Sequence, residues 1–439
     1  MQIMAPGPRG ISGIIALIKF FSDPLRFINT EVSQYTIFRL PVGNEALIFI
    51  NDSDWISDVL LDKQNCFQKD SVSRSLISII GHGLLTSEGD QWLIQRQLHL
   101  PLFTRTKVST YFSLMSTYIN RTLDDLDTLG RRDVHKSAKS LTLSVVVACL
   151  LGQSAVSKLP DLHEFMSVLL SEYQLLMQSW RRFMPAWIPL QARHRIKDKL
   201  SILNAACLKI VECEQNNPEG NNLVSALLAE QVRLGESQKW VLDQVATILL
   251  AGHQTTSSAV AMTLWLLANH SSIQEEVYTE IIQVNGNSHI SSECLHRLNL
   301  LRAVVLESLR LFPPAWVMGR EATVDFQLGP YIIKVGEEIV VSPWLINRDE
   351  KYFHAPNEFI PLRWLDSKRL NKTIPFLPFG GGSRKCIAED FAMQEILLII
   401  ASTVQRFRLS GAEANVQLMP SITLEPKHGI WLNINKRHI

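Results

Sequence analysis

Cysteine is scarce in this chain. Six are scattered through 439 residues, at Cys66, Cys149, Cys207, Cys213, Cys294 and Cys386, with no Cys-x-x-Cys pair. That spacing argues against a zinc site, a disulfide framework and a cysteine-held iron–sulfur cluster. An excess of either charge is also missing. Lys and Arg number 43 against 42 Asp and Glu, a net of +1, which offers a nucleic acid no broad basic face. No glycine fingerprint for a flavin or nicotinamide is present. Long apolar runs are absent too. Ile11 to Phe21 is apolar but covers only about half a membrane span. It contains Lys19, stops at Asp23, and lacks a basic leader and cleavage site. These absences predict a cytoplasmic protein in a reducing compartment, without a transmembrane anchor. Peripheral membrane contact by Ile11–Phe21 is compatible with them. No internal repeat, low-complexity tract or linker divides the chain.

What is present is ordinary for a globular core: 46% apolar and 19% charged residues. Residues 35–51 predict a hairpin, with Tyr35-Thr-Ile-Phe-Arg-Leu and Ala46-Leu-Ile-Phe-Ile as strands and Gly43-Asn44 as the turn. From about 52 to 325 the pattern is mainly helical. Tyr331-Ile-Ile-Lys-Val and Glu338-Ile-Val-Val-Ser return to strand. Residues 346–385 read as irregular coil, Ile387–Arg406 as one helix and the last thirty as short strands. The expected fold is mainly α with small β-sheets (α+β): residues 1–34 form an N-terminal segment and 35–439 a single helix-rich domain. The longest periodic segment, about Ser237 to Asn269, would span about 50 Å.

The coil leads into Phe379-Gly-Gly-Gly-Ser-Arg384-Lys-Cys386-Ile-Ala388, a cysteine behind a glycine turn and before a helix. Glycines allow close backbone approach to a flat group, and a helix N-terminus beside a cation lowers a thiol's pKa. The pattern Phe379-x-x-Gly382-x-Arg384-x-Cys386 resembles the haem-binding signature of the cytochrome P-450 family, which implies Cys386 as the axial ligand of haem b. Ala388 stands where the family commonly has glycine.

Mid-way along the long helix lies Ala251-Gly252-His253-Gln254-Thr255-Thr256. Gly252 costs about 1 kcal/mol against Ala in a helix, and hydroxyls there can bond back to the preceding turn. From the residues, this is either a bend at a packing contact or a π-type opening that leaves a groove. The segment resembles the family's oxygen-binding signature, which implies Thr255 as the residue that handles dioxygen and its proton supply. The family commonly has an acid before that threonine. Gln254 cannot ionise, so the proton comes through water and Thr255, or another residue helps.

Glu307 and Arg310 share a helix face ahead of Pro313-Pro314. With Arg363 they resemble the family's Glu-x-x-Arg cluster, which implies three buried charges locking the coil beneath the haem. Trp92 and Arg96, at i and i+4, resemble the Trp-x-x-x-Arg helix. They are the implied propionate partners, with Arg384 and Arg320. His99 is a weaker candidate for the same role, with a simple core histidine as the other reading. Asn347 stands where His is common.

The resemblance implies a haem-thiolate monooxygenase, with the haem between the long helix and the helix after the cysteine loop. Such an enzyme inserts one oxygen atom from O2 into an apolar substrate by hydroxylation or epoxidation, in secondary or lipid metabolism. Electrons come from an external ferredoxin or flavodoxin-type donor with its reductase. The expected enzyme is a monomer. Lys351, Lys385 and Arg384 are candidates for a basic docking face. Val72–Leu85, Ala246–Thr255, Ala315–Met318 and Ser421–Leu424 are expected to line the pocket. Leu175–Trp187 is expected to form a lid, with Arg181 and Arg182 facing solvent or an anionic substrate end. Two alternatives stay open: a haem-thiolate enzyme that uses peroxide or rearranges its substrate without O2, and a haem-free helical binding protein.

Overall fold

A computed structural model describes residues 3–43, 45–62, 66–126, 130–158, 166, 168–169, 172–173, 191–216, 220–365 and 376–437. The expected lid at 175–187 lies outside the described residues.

The organising element is the helix Gln238–Asn269, 32 residues capped by Ser237. It is buried along most of its length because its sequence is apolar or small all round, the mark of a helix inside a core. It packs against helix Val134–Val146, helix Glu389–Arg406 and helix Asn299–Leu311. The last of these stops at Phe312, which leaves helical geometry at φ −130° and ψ 67° where Pro313 follows it. Helix Glu389–Arg406 begins with Glu389 and Asp390 and ends with Arg406, matching its dipole.

The sheets are small, and two of them pack against this bundle. One has five strands in the order β1-β2-β8-β5-β3: β1 (Ile37–Val42), β2 (Glu45–Ile50), β3 (Phe67–Lys69), β5 (Met318–Ala322) and β8 (Glu338–Val341). β4 (Arg131–Asp133), β12 (Trp431–Lys436) and β9 (Phe407–Ser410) form a second; β6 (Phe326–Leu328) with β7 (Tyr331–Ile333), and β10 (Leu418–Pro420) with β11 (Leu424–Pro426), form two hairpins. The packing against the bundle runs through β9, β11 and β12. The expected hairpin at 35–51 is β1 and β2, paired antiparallel with Ile37 opposite Ile50. Mainly α with small sheets is what the patterning predicted.

The N-terminal helix Gly10–Ser22 leaves Ile11, Ile14, Ile15 and Ile18 exposed. Among the described residues only Val134–Leu151 is long and apolar enough to cross a membrane, and 72% of it is buried inside the fold.

Candidate active site

The cysteine loop is held closed by its own backbone. The Cys386 N–H donates to the Phe379 carbonyl at 2.8 Å, and the Lys385 N–H donates to Gly382 O at 3.1 Å. Gly382 has φ +69°, and a Cβ there would lie 1.8 Å from the Leu60 carbonyl oxygen. Its glycine is therefore required by segment 58–62 packed behind the loop, a cause different from the expected approach to a flat group. Gly381 has an ordinary extended backbone and room for a methyl.

Cys386 has accessible surface, yet protein crowds it enough to desolvate the thiol. Both hold if its sulfur opens into an interior cleft. Burial comes first and pushes the thiol above its ordinary value, with Glu389 adding to the rise. The Ala388 N–H, Arg96 and Lys385 pull it down, but less. The expected lowering by helix terminus and cation is thus corrected: desolvation wins. A bound metal ion would reverse the balance, because a coordinating thiol is deprotonated outright.

Around this loop stand cations. Arg96 donates to the Lys385 carbonyl at 3.1 Å. Arg384 lies 3.9 Å over the Trp92 ring, donates to Ser87 O at 3.0 Å and pairs with Glu88. Trp92, Arg96 and Arg384, singled out in the sequence, are therefore neighbours. Arg320 is held below its usual range chiefly by burial, against Asp70 and Glu88. One residue was missed in the sequence. Lys69 of β3 sits opposite Arg320 of β5 in strand register. Burial first, then Arg384 and Arg320, push its ammonium down to about 8. Like charges facing across a ladder destabilise it. Nothing in the local sequence marks Lys69; only the pairing of β3 with β5 reveals it.

In the long helix, Ala251 is exposed although Leu250 before it is buried and Gly252 after it is half-buried, so it too fronts interior space. Thr255 donates its hydroxyl to the Ala251 carbonyl at 2.9 Å. The expected π-type opening is not found: the segment is α-helical throughout. Gly252 instead packs on Val146, where an added Cβ would lie 2.9 Å from a side-chain methyl. Gln254 is buried and donates its amide N–H to the carboxylate of Glu425.

Behind the loop, Glu307 and Arg310 are fully buried. Glu307 accepts from Arg310 at 2.7 and 2.9 Å, Arg363 at 3.0 Å, the Ile360 N–H at 3.0 Å and Trp364 Nε1 at 2.7 Å. Arg310 also donates to the carbonyls of Asn347, Pro356 and Glu358 at 2.7, 2.6 and 3.0 Å. Asn347 belongs to this cluster, returning a bond from its side chain to Arg310 O at 3.0 Å. The three charges join as expected; Trp364 and Asn347 were not foreseen.

His99 is fully buried and held neutral down to about 4 by that burial, with Nδ1 bonded to Gln95 O at 2.7 Å, so it is a core histidine. Lys385 pairs with Glu389 and Lys351 lies 3.8 Å from Asp52. Of the expected basic docking face, Arg384 is turned inward to Glu88, while Lys385 and Lys351 stay exposed.

A family model described as Cytochrome P-450 matches residues 6–433. The chain belongs to the cytochrome P-450 family. It is 28% identical over 436 residues to cyclooctatin synthase of Streptomyces melanosporofaciens, covering 96% of this chain and 94% of that protein. It is 27% identical over 431 residues to Protein LUTEIN DEFICIENT 5, chloroplastic, of Arabidopsis thaliana, covering 91% and 72%. With a bifunctional cytochrome P-450/NADPH–P-450 reductase of Fusarium oxysporum it shares 28% identity over 464 residues, covering 100% of this chain and 43% of that one.

As a cytochrome P-450, the protein is an oxidoreductase of the monooxygenase class that uses haem b with an axial cysteine thiolate. It works with O2, an apolar substrate and a redox partner. The residues present fit that cofactor. Cys386 offers an accessible sulfur. Lys69, Arg320 and Arg384 crowd together around Asp70 and Glu88, and Arg96 beside them is drawn to Cys386 itself. Desolvated cations in excess call for an anion, and the two propionates of haem would supply one.

Proposed function

We propose that this cytochrome P-450 inserts one oxygen atom from O2 into a large apolar molecule, such as a terpenoid, fatty acyl chain or polyketide-like skeleton. Cys386 is the iron ligand, and Lys69, Arg96, Arg320, Arg384 and Trp92 receive the propionates. Glu307, Arg310 and Arg363 fix the coil that carries the loop. The observation that carries this reading is the crowd of under-neutralised cations attached to the same loop as an accessible thiol.

Haem, when bound, supplies oxygen activation, and a thiolate ligand favours O–O cleavage. The chain supplies the rest. Cys386 gives up its proton to bind. Trp316 donates Nε1–H to Ser421 O at 2.7 Å, tying two expected pocket walls together. Asp243 and Gln244 accept from the His82 and Leu84 N–H groups at 2.9 and 3.2 Å, pinning a third wall to the long helix. Thr255 presents a hydroxyl beside the accessible Ala251, where a proton can be passed. A separate ferredoxin or flavodoxin-type protein delivers the electrons.

Cys386→Ala should abolish the strongly red-shifted band of the reduced carbon-monoxide complex; a retained band would give the ligand to another residue. Turnover of apolar compounds should require both reductant and O2. Turnover with peroxide alone, or with neither, would favour the other haem-thiolate chemistries.

A further inference from the structure

Glu425 is a carboxylate from β11 buried against the long helix, 3% exposed. Its strand is fastened there by Ser258, whose hydroxyl donates to Leu424 O at 2.6 Å. One carboxylate oxygen accepts from the amide of Gln254, the residue immediately before Thr255. The other accepts from Lys139 Nζ at 2.7 Å, on helix Val134–Val146. The Lys139 side chain keeps 14% of its surface, so this end of the pair reaches solvent. His135 Nε2 lies 3.8 Å from the same oxygen. Burial first, then Lys139, hold that imidazole neutral down to about pH 3. The groups facing Glu425 are therefore one cation, one neutral imidazole and one amide.

Position 254 carries no ionisable group, yet oxygen insertion consumes protons. We propose that Glu425 is the proton-handling group for the Thr255 turn, with Lys139 opening it to solvent and Gln254 positioning it. This rests on the monooxygenase reading above. A proton from solvent adds to the carboxylate beside Lys139. The carboxyl then releases that proton to water at the Gln254 amide and onward to the Thr255 hydroxyl, regenerating the carboxylate. No electron moves and no other reactant is needed. A carboxyl group can take up and release a proton in this way, which an amide cannot.

The test compares wild type with Glu425→Gln, which keeps size and bonding but cannot titrate, and Gln254→Leu, which cuts the link and leaves the ion pair. Each is measured haem-loaded for substrate binding, product formed per electron consumed, and pH dependence of that ratio. Both variants should bind substrate as wild type does, keep the carbon-monoxide band, and lose at least tenfold in product per electron, the remainder appearing as peroxide. Glu425→Asp should restore part of the loss. Independently of turnover, the wild type minus Glu425→Gln infrared spectrum of the resting protein should show a carboxylate band. That band should convert to a carboxyl band at the pH where the coupling ratio breaks. Should Glu425→Gln not fold, Gln254→Leu alone decides. Unchanged coupling in a folded variant, or an infrared midpoint unrelated to the coupling profile, overturns the proposal. A wild type that makes no product from O2 and reductant overturns the monooxygenase reading instead.

Discussion

Replacing Glu307 and Arg310 together, by Leu and Met, asks whether the buried ion pair is a pair or a junction. Swapping a buried pair for apolar side chains of similar volume is often neutral or stabilising, because two desolvation costs vanish together. Here that expectation should fail. Arg310 leaves behind three buried carbonyls, those of Asn347, Pro356 and Glu358. Glu307 leaves the Ile360 N–H, Trp364 Nε1–H and the Arg363 guanidinium. An unsatisfied buried polar group costs about 1–3 kcal/mol. Six of them come to on the order of 10 kcal/mol, comparable to the whole stability of a domain, about 5–15 kcal/mol. Urea unfolding of the double variant, with haem content measured in parallel, should show failure to fold or loss of haem under mild conditions. A double variant within about 2 kcal/mol of wild type, with a normal carbon-monoxide band, would refute the reasoning and reduce the cluster to a replaceable ion pair.

Four further substitutions separate causes that look alike in the sequence. Gly381→Ala should cost less than about 1 kcal/mol, since a methyl there meets only side-chain carbons at 3.5 Å or more. Gly382→Ala, facing the Leu60 carbonyl at φ +69°, should displace the loop and lose haem; equal melting temperatures for the two variants would contradict this. Lys69→Met should stabilise the haem-free protein by roughly 1–3 kcal/mol at neutral pH, because it removes a cation pushed down to about 8. The same change should speed haem loss from the loaded protein, and an effect of one sign in both forms would remove Lys69 from the propionate site. Glu395 is fully buried, neither carboxylate oxygen has a hydrogen-bond partner, and burial raises its carboxyl well above the usual range. The folded chain thus holds a proton that the unfolded chain releases near pH 4.3. Stability should fall by about 1.4 kcal/mol per pH unit from there up to the folded value. Glu395→Gln should remove that slope in urea titrations run at several pH values; an unchanged slope would mean the carboxyl is ionised in the fold.

What could be read in the sequence was local or in order along the chain. The hairpin at 35–51, the long helix, its glycine, and the helix after the cysteine loop rest on period, turn residues and caps within a few positions. The pairing of Glu307 with Arg310 is one helix turn. What could not be read depends on register between distant segments. Lys69 matters only because β3 runs antiparallel to β5, some 250 residues later. Gln254 meets Glu425 across 171 positions, and Trp364 reaches Glu307 across 57. The direction of the Cys386 shift was misjudged for a related reason. A helix terminus and a cation are visible in the local sequence, whereas the desolvation that outweighs them is made by the whole surrounding fold.

The charged clusters differ in how completely they are satisfied, and that difference separates scaffold from site. Around Glu307 each guanidinium of Arg310 and Arg363 finds carboxylate or backbone carbonyl, and the cluster closes on itself. At Glu425 one carboxylate meets one ammonium, with an amide and a neutral imidazole completing the shell. Beside Cys386 the accounting of charge does not close. Lys69, Arg320 and Arg384 share Asp70 and Glu88 while Arg96 is drawn to Cys386, two of the cations face each other across a ladder, and burial depresses each of the four. A fold selected only for stability would place a third acid or an apolar residue there, since either removes a repulsion without losing a contact. Retaining the imbalance makes physical sense if the missing charge arrives with a ligand. The same place holds the most exposed of the described cysteines, so a single dianionic, metal-bearing group satisfies both demands at once.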